Sequence, residues 1–486
     1  MRLVFVASEA STVMPSLIRR ASLRIPAPLV IRMRETESHR WTPRDYATHD
    51  ALFGALEAYR PEAVIFINRL GCGAGFPLAA WCEISRVRCI PWYVDNPFFL
   101  SSDPHDRAFD SIIALVNNRH WLAPLKASGM SRVHFVPMAT DPERFAPGPP
   151  AAERDVPIAL IADLGLGRYD EILKDIIGQT GLDFHLRKSE ILSRIAEAAI
   201  RLTHERDAFP LDLIEATPAI RRLIEHPVSR RSLACLIDLR ASLIERLRYV
   251  KALWPLGIQV WGGPDWLKFI PPQHWHGTIH FTKVHAVYQR AKLVLNVSKL
   301  QSVQVADQRH YDSPAAGAAL LTERHPGQLE FFDEDEMVYY SSPEEAVARA
   351  RRLLENEDER LAIVERARAK IISTHTYDHR LDRIATIVRE TSWPERVNHG
   401  PELLAELDSH IDAFLSGGQL AAAKAWIDAM ERNDPTTAAF GNYVGAYALM
   451  SGRSAEIALA SMNGDQTAFA DRWRRLARIR LGDPAL

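Results

Sequence analysis

The chain has 486 residues and only four cysteines, Cys72, Cys82, Cys89 and Cys235. No two of them form a CxxC pair, so neither a disulfide framework nor a structural zinc site is expected, and the usage reads as that of a reducing compartment. No apolar run reaches the roughly 18 residues that a membrane span needs. The apolar start of MRLVFVASEA is too short for a secretory signal and turns polar at once, so it reads as a buried first strand. An excess of charge is missing as well. Lys and Arg total 59 against 61 Asp and Glu, a net of −2, which argues against a broad basic face for nucleic acid. Neither GxGxxG nor GxSxG occurs, leaving little support for a nicotinamide dinucleotide site or a serine hydrolase. Composition therefore points to a cytoplasmic, multidomain globular protein, with about three domains' worth of chain at about 150 residues each.

What is present is an alternation of short apolar runs and longer helical patterns. Leu3–Ala7, Ala63–Asn68, Val87–Val94, Ser111–Leu115 and Val133–Pro137 read as strands, with helices at Ala51–Arg60 and Trp121–Ser128. Strands separated by helix-length segments imply parallel pairing in a doubly wound sheet. A Pro- and Ala-rich stretch then marks a boundary, giving a first Rossmann-like lobe over 1–147. A second series, over 153–375, has strands at Val156–Ala162, Gly257–Trp261, Leu293–Val297, Ala318–Thr322 and Met337–Tyr340. It is interrupted by a helical insertion at about 178–240, where Ile191, Leu192, Ile195, Ala199 and Leu202 recur at helical spacing. Pro343–Asn356 and Asp358–Ser373 read as amphipathic helices, the first capped by Ser342. Residues 376–395 form a further helix. Residues 400–486 read as an all-helical tail of tetratricopeptide-like hairpins, either packed on the main body or offered to a partner protein.

In doubly wound sheets ligands bind at the carboxyl ends of the strands, so the loops there hold the candidate residues. Gly71, Gly73 and Gly75 follow the strand Ala63–Asn68, where glycines let backbone approach a ligand or simply reverse the chain. In WYVDNP, Asp95 and Asn96 end a strand; Asp95 suits a general base, or a turn-forming cap. The loop Asp163–Arg168 sets Arg168 near a helix start, where its fork can hold a phosphate. LVLNVS brings Asn296 and Ser298 to a strand end. RHYDSPAAGAALLT follows, reading as a short helix whose start carries Arg309, Tyr311, Asp312 and Ser313. Such a start offers free N–H groups to a diphosphate, with Arg309 as an added cation. Asp312 either accepts bonds from ribose hydroxyls or balances its own helix dipole.

These motifs, with VPMATDPERF at 136–145 and HTYDHR at 375–380, occur in an order that resembles the two-lobed GT-B glycosyltransferases, in particular the branch named after the spore maturation protein CgeB. The resemblance spans about residues 1–390. It implies that VPMATDPERF is the interlobe linker and that HTYDHR opens a helix crossing back to the first lobe. It further implies that Asp312 holds the donor ribose, that Arg309 and Arg168 face the phosphates, and that Thr278 and Ile279 lie in a short strand whose backbone reads the base. Asp95 then faces the acceptor beside Gly71, Gly73, Gly75 and Asn96, with His120 behind it. Related retaining enzymes carry two glutamates eight positions apart. Here the later position is Asp312 and the earlier is the neutral Gln304, which counts against retaining chemistry.

The implied activity is transfer of a sugar from a nucleotide-diphosphate sugar to an acceptor that is a protein, a polysaccharide or a small molecule. No metal or other cofactor is expected, because cations and N–H donors can carry the leaving diphosphate. His274, His276, His280 and His285 lack an acid or Cys at ligand spacing and read as loop histidines. The acidic run at 333–336 lacks the spacing of a calcium loop. Two other readings are a non-catalytic scaffold that binds a partner through its tail, suggested by Gln304, and a nucleotide-sugar epimerase.

Overall fold

The computed structural model describes residues 1–8, 13–25, 27–33, 58–68, 87–100, 111–148, 153–180, 195–201, 227–298 and 305–393, with a few single positions between. Gly71, Gly73, Gly75, Gln304 and the tail at 400–486 lie outside the described residues.

Six strands form the first sheet: β1 (Leu3–Ser8), β2 (Leu29–Met33), β3 (Ala63–Ile67), β4 (Arg88–Tyr93), β5 (Ala114–Val116) and β6 (Val133–Phe135). All pair in parallel, in the order β2-β1-β3-β4-β5-β6. The central strands read as unbroken apolar runs because helices cover both faces of a parallel sheet. Every residue of β3 is buried. Two elements add to the sequence expectation. One is β2; the other is helix α1 (Met14–Arg24), which has proline in its first turn. Helix α2 (Leu122–Ala127) stops at Gly129, whose φ of 102° suits glycine.

The second sheet holds β7 (Val156–Ile161), β8 (Ile258–Trp261), β9 (Ala291–Asn296), β10 (Ala319–Glu323) and β11 (Val338–Tyr340). It is again all parallel, ordered β11-β10-β9-β7-β8. Its helices are α3 (Leu166–Thr180), α4 (Pro227–Leu253), α5 (Val284–Arg290), α6 (Gln308–Ala315), α7 (Pro343–Glu355) and α8 (Glu357–Thr374). The Ser342 hydroxyl caps α7, accepting from the Glu345 N–H at 3.1 Å. The expected end of the insertion at 240 falls inside α4. That helix runs on unbroken to Leu253 because Leu243, Tyr249, Val250 and Leu253 pack into the core of the second lobe.

Two segments join the lobes. The linker runs from Val136 to Phe145, and α9 (Tyr377–Glu390) returns to the first lobe. A parallel bridge pairs Thr140 with Thr376. The buried Arg380 guanidinium donates to the carbonyls of Pro137 at 2.8 Å, Met138 at 2.7 Å and Thr374 at 3.1 Å. Tyr377 meets Trp92 of β4 edge-on. On α1, Arg19 pairs with Asp141 and Glu143, Arg20 with Glu143 and Asp378, and Arg24 with Asp382. No helix among the described residues is long and apolar enough to cross a membrane.

Candidate active site at the crevice of the second lobe

In the second sheet the chain leaves β7, returns at β8 on one side, and then lays β9 on the other side of β7. The strand order therefore reverses between β7 and β9, and the crevice beyond their carboxyl ends is the natural binding place. Arg309 spans it. Its Nη2 donates to the Ile161 carbonyl at the end of β7 at 2.7 Å, and its Nη1 donates to Asn296 Oδ1 at the end of β9 at 3.0 Å. The side chain remains partly open to solvent.

Around Arg309 the polar groups close a ring. Asn296 Nδ2 donates to Ser298 Oγ and to Thr322 Oγ1, each at 3.1 Å. Thr322 Oγ1 meets His310 Nε2 at 3.3 Å, and His310 Nδ1 meets Asp307 Oδ1 at 3.1 Å. Asp307 Oδ2 completes the circuit by accepting from Arg309 at 3.3 Å. Burial alone would push the Asp307 carboxyl up. The bond to His310 and the charges of Arg309 and His310 outweigh that and hold it down at about 2. Arg309, Asn296 and Ser298 are thus brought together as the sequence motifs suggested. Asp307, His310 and Thr322 complete the site without having been singled out beforehand. The short polar spacing from Asp307 to His310, a capping box, was their signal.

Helix α6 begins at Gln308 with Asp307 as its cap, so its start lies four residues before Asp312. Its first N–H groups are already engaged, since the Asp307 carboxylate accepts from the Arg309 N–H at 3.0 Å. Asp312 is 1% exposed and faces the linker. Thr140 Oγ1 donates to its Oδ1 at 2.6 Å, and Gln308 Nε2 to its Oδ2 at 2.9 Å. Burial raises this carboxyl to about 8 despite those bonds. Tyr311 and Ser313 point away from the crevice. Tyr311 is buried against Phe332 and His375, and the Ser313 hydroxyl donates to the Ala318 carbonyl at 3.1 Å.

Loops from β7 and β8 wall the other side. Gly263 N–H donates to Asp163 Oδ1 at 2.6 Å, and Trp266 Nε1 to the Ala162 carbonyl at 2.7 Å. A Cβ on Gly262 would strike that same carbonyl, so the close approach requires glycine. Arg168 is exposed in the first turn of α3. Residues 276–279 form no strand. Trp275 makes one isolated bridge with Val260, and Gly262 N–H donates to the Gly277 carbonyl at 2.9 Å. Gly277 takes a φ of 79°, which turns the backbone out of the extended conformation a strand needs. Thr278 is exposed and Ile279 half-buried beside it. His274 and His276 both bond the Gln259 amide, at 3.3 and 2.7 Å.

In the first lobe Asp95 follows β4. Asn68, in a left-handed turn with φ 56°, donates its Nδ2 to Asp95 Oδ2 at 2.9 Å and accepts from the N–H groups of Val94 and Asp95. Asparagine tolerates that conformation better than most residues. Asn96 is buried and accepts from the Phe98 N–H at 3.0 Å. His120 is exposed on a turn capped by Asn118. Among the described residues no hydrogen bond joins His120 to Asp95; Asn68 occupies the partner's place.

Two parallel doubly wound sheets, joined by one linker and a helix that crosses back, constitute the two Rossmann-like lobes of the GT-B architecture. Residues 240–386, which carry Asn296, Arg309 and Asp312, match the family described as Glycosyl transferase-like. No curated protein matches the chain. Among solved structures, the HepE protein of Anabaena in complex with UDP-glucose is similar at 10% identity and a TM-score of 0.47, covering 80% of this chain and 99% of that one. Sucrose-phosphate synthase from Thermosynechococcus elongatus is similar at 10% identity and a TM-score of 0.45, covering 80% and 98%. T4 phage BGT, in complex with UDP and manganese, is similar at 10% identity and a TM-score of 0.41, covering 80% and 99%. Likenesses this loose do not assign a substrate.

Proposed function

We propose that the protein is a glycosyltransferase of the CgeB-like branch that moves a sugar from a nucleoside-diphosphate sugar to an acceptor hydroxyl. The observation that carries this reading is Arg309, a partly open guanidinium bridging the ends of β7 and β9, inside the segment that matches the glycosyl transferase-like family. The donor diphosphate lies against Arg309 and the polar groups of Asn296 and Ser298, with Arg168 from the start of α3 on its outer side. The base lies towards Thr278 and Ile279. The acceptor approaches from the first lobe, where Asp95 and Asn96 follow β4.

The acceptor oxygen attacks the anomeric carbon, and the bond from that carbon to the diphosphate oxygen breaks. The departing diphosphate gains negative charge, which fixed cations stabilise without the cost of reorganising water. Asp95 takes the acceptor proton; the Nδ2 of Asn68 holds its carboxylate in place. A neutral Gln304 favours single displacement with inversion. The site works without a metal.

The test is a panel of nucleoside-diphosphate sugars, read by thermal shift and by release of nucleoside diphosphate. At least one donor is expected to raise the melting temperature and to turn over slowly in water. Arg309→Ala is expected to abolish both while circular dichroism stays native. No response across the panel, or full turnover by Arg309→Ala, would overturn the assignment.

A further inference from the structure

Arg246 lies on α4 and is 6% exposed, sharing one helix face with Ser242, Tyr249 and Leu253. A charge in such a stripe is costly unless it is paired. Its Nη1 donates to the Asp163 carbonyl, while its buried Nε has no partner. Asp238, Asp163 and Asp307 act on it through space, and among the described residues none of them forms an ion pair with it. Another cation, Arg309, also acts on it through space, against those acids.

Backbone geometry relates the two cations. Ala162 N–H donates to the Trp261 carbonyl of β8, so the carbonyls of Ile161 and Asp163 turn the other way, to the β9 side. Arg309 grips the first of these carbonyls and Arg246 the second. Two guanidinia therefore bond alternate carbonyls of one short segment, at the point where the strand order reverses. Burial, and then the charge of Arg309, lowers Arg246 to about 10. Like charges held together in the free protein suit a ligand that carries two negative charges.

We propose that Arg246 is the second cation of a diphosphate site shared with Arg309 at the β7–β9 crevice, an inference that rests on the donor reading above. Arg246 acts as a positioning residue: it anchors the loop leaving β7 and adds its field to the face that Arg309 presents.

The test compares Arg246→Gln and Arg246→Met with the parent, using UDP and inorganic pyrophosphate as probes in calorimetry. Both substitutions remove the charge; the glutamine amide ends about two bonds short of the guanidinium and leaves only a neutral hydrogen-bonding group in its place. Both variants are expected to bind each probe about 10- to 100-fold more weakly, as loss of one nearby charge implies. The ligand-free melting temperature of Arg246→Met is expected to stay within a few degrees of the parent's, because removing a desolvated charge offsets the lost bond to the Asp163 carbonyl. Unchanged affinity in Arg246→Gln, with lower stability in Arg246→Met, would make Arg246 merely structural and overturn the proposal. If Arg309→Ala loses UDP while Arg246→Gln keeps it, the donor reading stands and this inference falls. If the parent binds pyrophosphate but no nucleoside diphosphate, the cation pair stands and the donor reading falls. A parent that binds neither probe removes both.

Discussion

Asp312 shows how one carboxyl can be turned from the solvent to the seam between the lobes. Its neighbours are Thr140 and Asp141 of the linker, Arg144 beyond them, Gln308 on its own helix, and Tyr377 on α9, whose hydroxyl donates to Gln308 Oε1 at 3.1 Å. Burial raises its pKa to about 8, against a value near 3.9 in the unfolded chain. Between those two values the folded state holds a proton that the unfolded state has lost. Stability from this group is therefore whole below about pH 4 and declines as pH rises through 8. Asp312→Asn keeps the shape and removes the titration. Its unfolding midpoint in urea is expected to fall less than the parent's between pH 5 and pH 8.5, and to lie above the parent's at pH 8.5. Parallel curves for the two proteins would show that Asp312 is not the group responsible.

At the scale of elements, α9 is held to the linker by one buried cation. Arg380 serves the carbonyls of Pro137, Met138 and Thr374, and its Nη2 meets His375 Nδ1 at 2.9 Å. Arg380→Met would leave several buried carbonyls without a donor, at about 1–3 kcal/mol each. We expect a loss of about 3 kcal/mol or more in urea unfolding, and a loss below 1 kcal/mol would mean that water replaces the guanidinium. The strands of both sheets were legible in the sequence because a strand buried on both faces is a continuous apolar run. β2 was hidden because LVIRM is short and preceded by two prolines, and α1 because it starts after a polar stretch. Asn296 was legible as a polar residue at a strand end, and Arg309 as a cation at a helix start. The direction of Asp312 was not, because a helix position tells which face a residue takes only once the packing of that helix is known. Arg246 left a fainter mark, a charge at helical spacing with Ser242, Tyr249 and Leu253 on a buried face.

Across the whole molecule, the two lobes meet through charge as well as through the linker. The arginines of α1 reach past their own lobe to acids on the linker and on α9. These pairs hold the relation between the lobes, on which the proposed approach of acceptor to donor rests. Their worth depends on solvent. Arg20 and Asp378 are largely shielded, with 13% and 26% of their side chains exposed, whereas Arg290 and Asp155, within the second lobe, are 55% and 58% exposed. Exposed pairs are screened by salt and pay for ordering two long side chains, while shielded ones keep more of their attraction. Double-mutant cycles with Arg20→Gln and Asp378→Asn are expected to give a coupling of about 1 kcal/mol that persists in part at high salt. The same cycle with Arg290→Gln and Asp155→Asn is expected to fall within error of zero once salt is added. Equal couplings in the two cycles would mean that shielding at the seam does not strengthen the pair.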